Sequence, residues 1–387
     1  MRVLLVGDSP VLYSGTARVL RSLGDGLAEA GDEVGYLSSY HTGEPGYRHP
    51  IWPWVRANEN PDVSAQLFLR AVESFKPDRI VCFGDAWYYT GLFKLKRSLS
   101  PSVGLMLYLT IDCAPVPVGC YATRIFDAAD WLATTTQYGA DLLSGRIGGD
   151  LGTEHRLHYP THAVPLGVDT AVFNADAHPN RDEIRQIHQD ERLFIGWVGM
   201  NQCRKHPGAA LEVLAHLLRG GVKAMLWMKT FKDGDYNLLE LCAHLKLNYS
   251  IDSASPLADV VITEKAVDDT SMAEYYRRCD VFLSTGSAGA PDLPLLEARA
   301  CGTPAIAVHT SSFPEVANVT CAPRGALWAI PNVRHELPDP MALAGAVMHC
   351  AENEISAGEV RDIAVTVDEI RGILCEQVPD RLSGIVA

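Results

Sequence analysis

The chain has 387 residues, a formal net charge of −14, 47% hydrophobic residues and 21% charged residues. At about 100–200 residues per domain, that length favours two domains or one large one, with cores big enough to need no disulfide or metal staple. The composition argues against a disordered, collagen-like or coiled-coil chain, and the acidic balance counts against long-range attraction to nucleic acid or an anionic membrane.

No apolar run reaches the roughly 18–20 residues of a membrane span, so no transmembrane segment is expected. The opening MRVLLVGDSP has one Arg and a short apolar run that breaks at Gly7-Asp8, so it reads as a buried first strand and not as a signal peptide. Ten cysteines are scattered along the chain, none in a Cys-x-x-Cys pair and none at zinc-like spacing from His. They read as reduced core thiols of a cytoplasmic protein with no metal site. The densest basic cluster, Lys94-Leu95-Lys96-Arg97, reads as a solvated helix face.

In chain order, Val3-Leu4-Leu5-Val6 is the apolar run of a strand buried on both faces. Ser14-Gly15-Thr16 then opens an amphipathic helix over residues 17–30, with Val19, Leu20, Leu23 and Leu27 at helical spacing. Residues 34–37 form a second strand, so the chain opens β–α–β, as doubly wound sheets do. A helix over 65–75 follows, then strands over 79–83, 105–110 and 132–136, and a helix from Tyr138. The stretch 146–162 is rich in Gly and His and weakly periodic. Alternation restarts with strands over 194–199, 224–229, 260–262, 281–284 and 305–308. Helices over 209–219, 237–245, 271–278 and 293–300 lie between them. Two α/β halves therefore meet near residues 165–185.

Ligands of open α/β sheets bind beyond the C-terminal strand ends, so the loops there are where chemistry belongs. Ser14-Gly15-Thr16 offers a close backbone approach and free N–H groups to an anion, or is a plain helix start. It is not a dinucleotide fingerprint, and no phosphate-binding G-x-x-x-x-G-K-[ST] occurs. Arg204 and Lys205 follow the first strand of the second half. Together they suit a diphosphate, or they form a solvated turn. In Ser284–Pro304 a strand ends in a Gly/Ala/Pro loop and a helix carries Glu297 about one turn in. That carboxylate can accept two ribose hydroxyls, or compensate the helix dipole.

Three segments together resemble the retaining, nucleotide-sugar-dependent glycosyltransferases of the group-1 type with the GT-B fold. Val164-Pro165-Leu166-Gly167-Val168-Asp169-Thr170 with Phe173 resembles the family's P-x-G-V-D-x-x-x-F segment. Gly199 to Lys205 resembles its G-R-x-x-x-x-K donor-phosphate segment. Leu293-Pro294-Leu295-Leu296-Glu297-Ala298 through Cys301-Gly302-Thr303-Pro304 resembles the distal half of its two-glutamate motif. The family's first glutamate falls on Gly289, with Asp292 a candidate to stand in, and the family Arg after the strand falls on Met200.

The resemblance implies an α/β protein of GT-B architecture, two Rossmann-like doubly wound domains facing each other across a cleft. Residues 1–172 would be the acceptor-side domain and 173–387 the donor-nucleotide domain, with about the last 25 residues packing back on the first. It implies hexosyl transfer with retention, no cofactor or metal, and a UDP- or GDP-sugar as co-substrate. Gly15, Thr16, Arg204, Lys205, Asp292, Leu293 and Glu297 would meet the donor, with Glu297 on its ribose. Arg204 and Lys205 would stabilise charge developing on the leaving diphosphate, and Asp112 is the acceptor-side polar residue expected at the reaction. Asp85, Trp87 and Asp112 would line the acceptor side, where Trp52, Trp54, Tyr40, Tyr88 and Tyr89 offer stacking or core packing. The acceptor would be a small molecule, a lipid-linked saccharide or a glycan. One alternative keeps the chemistry and takes hydroxymethylated bases of DNA, with a local basic patch of Lys94, Lys96, Arg97 and Arg124 set against the net charge. Another is a non-catalytic protein that binds nucleotide sugars.

Overall fold

The structure, a computed structural model, describes residues 1–41, 46–114, 116, 120, 124–146, 159–175, 191–253, 255, 257–329, 333–353 and 355–379. Most of the stretch 146–162 and the later part of the junction near 165–185 lie outside these residues. The chain divides into two compact units, Met1–Leu166 with Ile363–Ala387, and Gly167–Asp362. The limit expected between residues 172 and 173 falls inside the opening segment of the second unit.

The first unit is a seven-stranded sheet in the order β3-β2-β1-β4-β5-β6-β7. Its strands are β1 (Arg2–Asp8), β2 (Glu33–Ser39), β3 (Ile51–Pro53), β4 (Arg79–Gly84), β5 (Gly104–Leu109), β6 (Trp131–Thr134) and β7 (His162–Ala163). Every pairing is parallel. Parallel strands are covered on both faces, which is why β1 and β5 carry unbroken apolar runs and are buried throughout their centres. Helix Gly15–Glu29 buries Ala17, Val19, Leu20, Leu23 and Leu27 on one face. The C-terminal helix Ile363–Leu374 packs against it. Arg371 Nε lies 2.8 Å from Asp32 Oδ2, Arg79 Nε donates to the Leu374 carbonyl at 2.7 Å, and Thr366 Oγ1 donates to the Pro165 carbonyl at 2.9 Å.

The second unit is also a seven-stranded parallel sheet, in the order β10-β11-β9-β8-β12-β13-β14. Its strands are β8 (Leu193–Val198), β9 (Ala224–Lys229), β10 (Tyr249–Ile251), β11 (Val260–Thr263), β12 (Val281–Ser284), β13 (Ala305–Val308) and β14 (Val319–Cys321). A separate antiparallel pair, β15 (Gly325–Ala329) and β16 (Val333–Leu337), sets Leu327 opposite His335. Continuous apolar runs mark the central strands of both sheets. The edge strands β3, β7, β10 and β14 are two or three residues long, too short to show a period.

The segment that opens the second unit is held at both ends. Val168 pairs with Asp362 in a parallel bridge, and Val168 N donates to the Arg361 carbonyl at 3.0 Å. A Cβ on Gly167 would lie 2.4 Å from the Asp362 carbonyl carbon and oxygen, so only glycine allows this approach. Phe173, 2% exposed, is buried with Tyr276, Leu295 and Phe282. The buried Arg277 donates to the Asn174 carbonyl at 2.7 Å and to the Val172 carbonyl at 2.9 Å.

Candidate functional site

In the second unit the strand order reverses between β8 and β12. The loops after these two strands, residues 199–206 and 285–292, therefore lie side by side and bonded to each other at the crevice beyond the sheet's carboxyl edge, where ligands of such sheets bind. Two of the three sequence-predicted donor segments lie here, and the third, Gly15-Thr16, belongs to the first unit. Lys205 Nζ lies 2.8 Å from Asp292 Oδ1, and Ser284 Oγ donates to Asp292 Oδ2 at 2.7 Å. The two charged side chains are 12% and 5% exposed. Asp292 thus joins β8's loop to β12's loop and precedes helix Leu293–Ala300 as its N-cap residue. A carboxylate taken out of water persists only where such partners compensate it.

The rest of the crevice is wired by hydroxyls and an amide. Thr285 Oγ1 donates to the Lys205 and His206 carbonyls at 2.8 and 2.9 Å and accepts from Trp197 Nε1 at 3.0 Å. Ser287 N and Oγ both donate to the Arg204 carbonyl, at 2.8 and 3.1 Å. Asn201 Nδ2 reaches the Phe231 and Tyr236 carbonyls at 3.1 and 2.8 Å, which ties the loop after β8 to the loop after β9. The Arg204 side chain is exposed and forms no ion pair among the described residues.

Gly289 stands where the resembling family has its first glutamate, and the structure gives a steric reason. A Cβ there would lie 2.3 Å from Cε1 of Phe313, a fully buried ring. Ser311 and Ser312 hydroxyls both donate to the Gly289 carbonyl, at 2.9 and 2.6 Å. The loop is packed so that no side chain fits at residue 289 without displacing Phe313.

Glu297 is on helix Leu293–Ala300, 3% exposed, and its Oε2 accepts from the Tyr276 hydroxyl at 2.7 Å. Tyr276 packs on Phe173, with ring centroids 6.2 Å apart. Phe173, Tyr276 and Glu297 form one continuous support, so the P-x-G-V-D-x-x-x-F segment steadies the side chain that holds Glu297.

In the first unit the order reverses between β1 and β4. Asp8, the last residue of β1, is the hub of that edge. Its Oδ1 pairs with Arg56 NH2 at 2.5 Å and accepts from Ser39 Oγ at 3.0 Å. Its Oδ2 accepts from Thr16 Oγ1 at 2.5 Å and Ser14 Oγ at 3.3 Å. The Thr16 hydroxyl is therefore turned to Asp8, and Ser14 caps Ala17 N at the start of the helix that begins with Gly15. The Arg56 guanidinium lies 3.8 Å from the Tyr88 ring centroid and 4.8 Å from that of Tyr40. Asp85, after β4, accepts from Thr110 Oγ1 at 2.6 Å. Burial, and then the Asp85 charge, push the Tyr88 hydroxyl up. Trp87 meets Tyr88 edge to face at 5.9 Å. Asp112 follows β5, beside Cys113, whose thiol is pushed up first by burial and next by Asp112. Trp54 and Tyr89 are stacked core residues, while Tyr40 is 54% exposed.

Asp8, Arg56, Ser284 and Tyr276 were not among the expected site residues. Only Asp8 left a trace in sequence, as the acid that ends the first apolar run. The others act through partners far along the chain.

The basic cluster is partly spent internally. Lys96 pairs with the buried Asp130, and Arg124 pairs with Asp127 at 2.7 Å. All ten cysteines are free thiols, seven of them buried. Among the described residues no group of three or more His, Cys, Asp or Glu could hold a metal ion, and no helix is long and apolar enough to cross a membrane.

No protein-family model matches the chain. Over 190 residues it is 28% identical to a D-inositol 3-phosphate glycosyltransferase of Paenarthrobacter aurescens (strain TC1), a match that covers 49% of this chain and 43% of that protein. The chain thus spans less than half the length of the curated relatives it matches. In three dimensions it is similar to the sucrose-phosphate synthase of Thermosynechococcus elongatus, with a TM-score of 0.68 and 15% identity, over 97% of this chain and 95% of that one. It is also similar to an alpha-glucosyltransferase solved with UDP-glucose and DNA containing an abasic site, with a TM-score of 0.60 and 12% identity, over 97% of this chain and 100% of that one.

Proposed function

We propose that this chain, which has the GT-B fold and is related in sequence to glycosyltransferases, moves a hexose from a nucleoside-diphosphate sugar to an acceptor hydroxyl with retention. The observation that carries the reading is the meeting of Lys205 and Asp292 at the reversal point of the second sheet, beside Arg204 and at the start of the helix bearing Glu297. Breaking a sugar–phosphate bond leaves negative charge on the diphosphate. Lys205 and Arg204 are preorganised cations for that charge, and such groups stabilise a transition state more than they stabilise the ground state. Glu297, steadied by Tyr276, is the acceptor for ribose hydroxyls. Asp292, with Leu293 next to it, belongs to the donor site by its contact with Lys205. Gly15 and Thr16 belong to the donor site by resemblance alone.

Asp85, Trp87 and Asp112 form the acceptor side. They stand beyond β4 and β5 of the first unit, with Tyr88 and the Asp8–Arg56 pair nearby. A small molecule, lipid-linked saccharide or glycan is favoured over DNA, because Lys96 and Arg124 already neutralise carboxylates of this chain. Binding that falls steeply as salt rises would point to DNA instead. The reaction uses no bound metal, so turnover in EDTA is expected to match turnover without it. Free thiols throughout suit a reducing compartment, the cytoplasm.

The decisive experiment is a panel of UDP-, GDP- and ADP-sugars read by thermal shift and by hydrolysis. A ligand that binds the native state raises the apparent melting temperature. One nucleotide series should stabilise the chain and release free sugar. No shift with any nucleotide or nucleotide sugar would overturn the reading.

A further inference from the structure

The antiparallel pair β15–β16 lies outside both seven-stranded sheets, yet it is tied to the second unit's crevice. His335 Nδ1, on β16, is 2.9 Å from Ser287 Oγ. Ser287 is in turn bonded through both its amide and its hydroxyl to the Arg204 carbonyl. One strand of the pair is thus fixed against the two loops that carry Lys205 and Asp292.

Arg204 and Arg324 are exposed, and neither forms an ion pair among the described residues. The carboxylate of Glu336 on β16 is taken by Arg334 at 2.8 Å, and that of Asp292 by Lys205. His206 has a buried Nε2 with no hydrogen-bond partner among the described residues. Its backbone sits at φ +46°, in the left-handed region a side chain rarely adopts, a kind of strain that concentrates at functional sites. Burial, and then the charges of His335 and Arg324, hold its imidazole below the usual histidine range. His206, His335 and Arg324, from two separate segments, thus lie within electrostatic reach of one another, and Ser287 links His335 to the backbone of Arg204. An anion with several oxygens would accept hydrogen bonds from all four basic side chains.

We propose that β15–β16 completes a polyphosphate site, with His335 and Arg324 joining Arg204 and His206 to bind the diphosphate of a nucleoside-diphosphate ligand. Lys205, already paired with Asp292, is then one cation among several around that group, and the pair specifies phosphate number where Glu297 faces the nucleoside. The identity of the occupant rests on the nucleotide-sugar reading above; the cation site does not.

The test is calorimetric titration of the full chain with inorganic pyrophosphate, uridine and UDP. For the variant Arg324→Gln/His335→Gln, pyrophosphate and UDP should bind about tenfold more weakly, the scale of one or two lost charge-assisted contacts, with uridine unchanged. Arg324→Gln alone, at an exposed position, should show a smaller loss with the parent's melting temperature. Arg219→Gln, an exposed charge removed elsewhere on the same unit, should change nothing. Pyrophosphate binding to the parent that depends on Arg324 and His335, without binding of any nucleotide sugar, would keep this site and overturn the functional reading. Pyrophosphate affinity within twofold of the parent in Arg324→Gln/His335→Gln, or no pyrophosphate binding by the parent, would overturn the inference.

Discussion

Lys205 touches the Asp292 carboxylate and, in the proposed reaction, meets the diphosphate, and a double-mutant cycle separates the two roles. Lys205→Met removes the ammonium and keeps the stem. Asp292 is 5% exposed and would keep the Ser284 hydroxyl as a donor but lose its cation. Breaking a fully buried pair costs about 3–5 kcal/mol, and Lys205 is partly open, so about 2–3 kcal/mol is expected. For a unit of this size that lowers the melting temperature by about 5–10 °C. Asp292→Asn added to Lys205→Met removes the stranded charge, keeps an acceptor for Ser284, and should recover most of that loss. Turnover should behave otherwise. Loss of one preorganised donor at a developing anion costs about 3 kcal/mol, roughly a hundredfold in kcat, and the second substitution cannot restore it. The assay is sugar release from the active nucleotide sugar, paired with thermal melts of all four proteins. Recovery of turnover together with stability in Lys205→Met/Asp292→Asn would show that Lys205 serves only to hold Asp292, and the catalytic argument would fall.

Three further outcomes follow from the same geometry. Gly289→Glu, which restores the resembling family's residue, should lower stability by about 1–3 kcal/mol or more, because its Cβ meets the buried Phe313 ring, and should not raise activity. A gain in turnover would refute the packing argument. Tyr276→Phe removes the hydroxyl that donates to the buried Glu297 and should cost about 1–3 kcal/mol. It should raise KM for the nucleotide sugar more than it lowers kcat, and an unchanged KM would remove Tyr276 as a positioning residue. Burial alone would raise the Asp32 carboxyl, but hydrogen bonds from Arg371 and the N-terminal amine outweigh it and hold the group below the usual range. A depressed folded pKa gives stability that is present above the unfolded value of about 4 and is lost as pH falls through the folded one. Arg371→Gln should therefore melt below the parent at neutral pH, with the deficit shrinking below about pH 4. A deficit constant with pH would mean that Arg371 acts by packing alone.

The sequence by itself determined the two α/β halves, because strands buried on both faces must be continuously apolar and their helices must alternate with them. β9, β12, β13 and helix Leu293–Ala300 begin and end where the residue pattern puts them. It also marked the loops after β8 and β12, since strand ends and short motifs are local. Partnership was not legible. Lys205 and Asp292 are 87 positions apart, Asp8 and Arg56 are 48 apart, and Glu297 depends on Tyr276, 21 positions before it. Such pairs form because strand order brings distant loops to one sheet edge, and no periodicity encodes that order. Tertiary packing alone sets Phe313 where a side chain at residue 289 would go, and binds Lys96 and Arg124 to carboxylates of the chain. The net charge of −14 thus says little about any one site. What a site attracts is set by which charges the fold leaves unpaired, and among the described residues Arg204 and Arg324 form no ion pair.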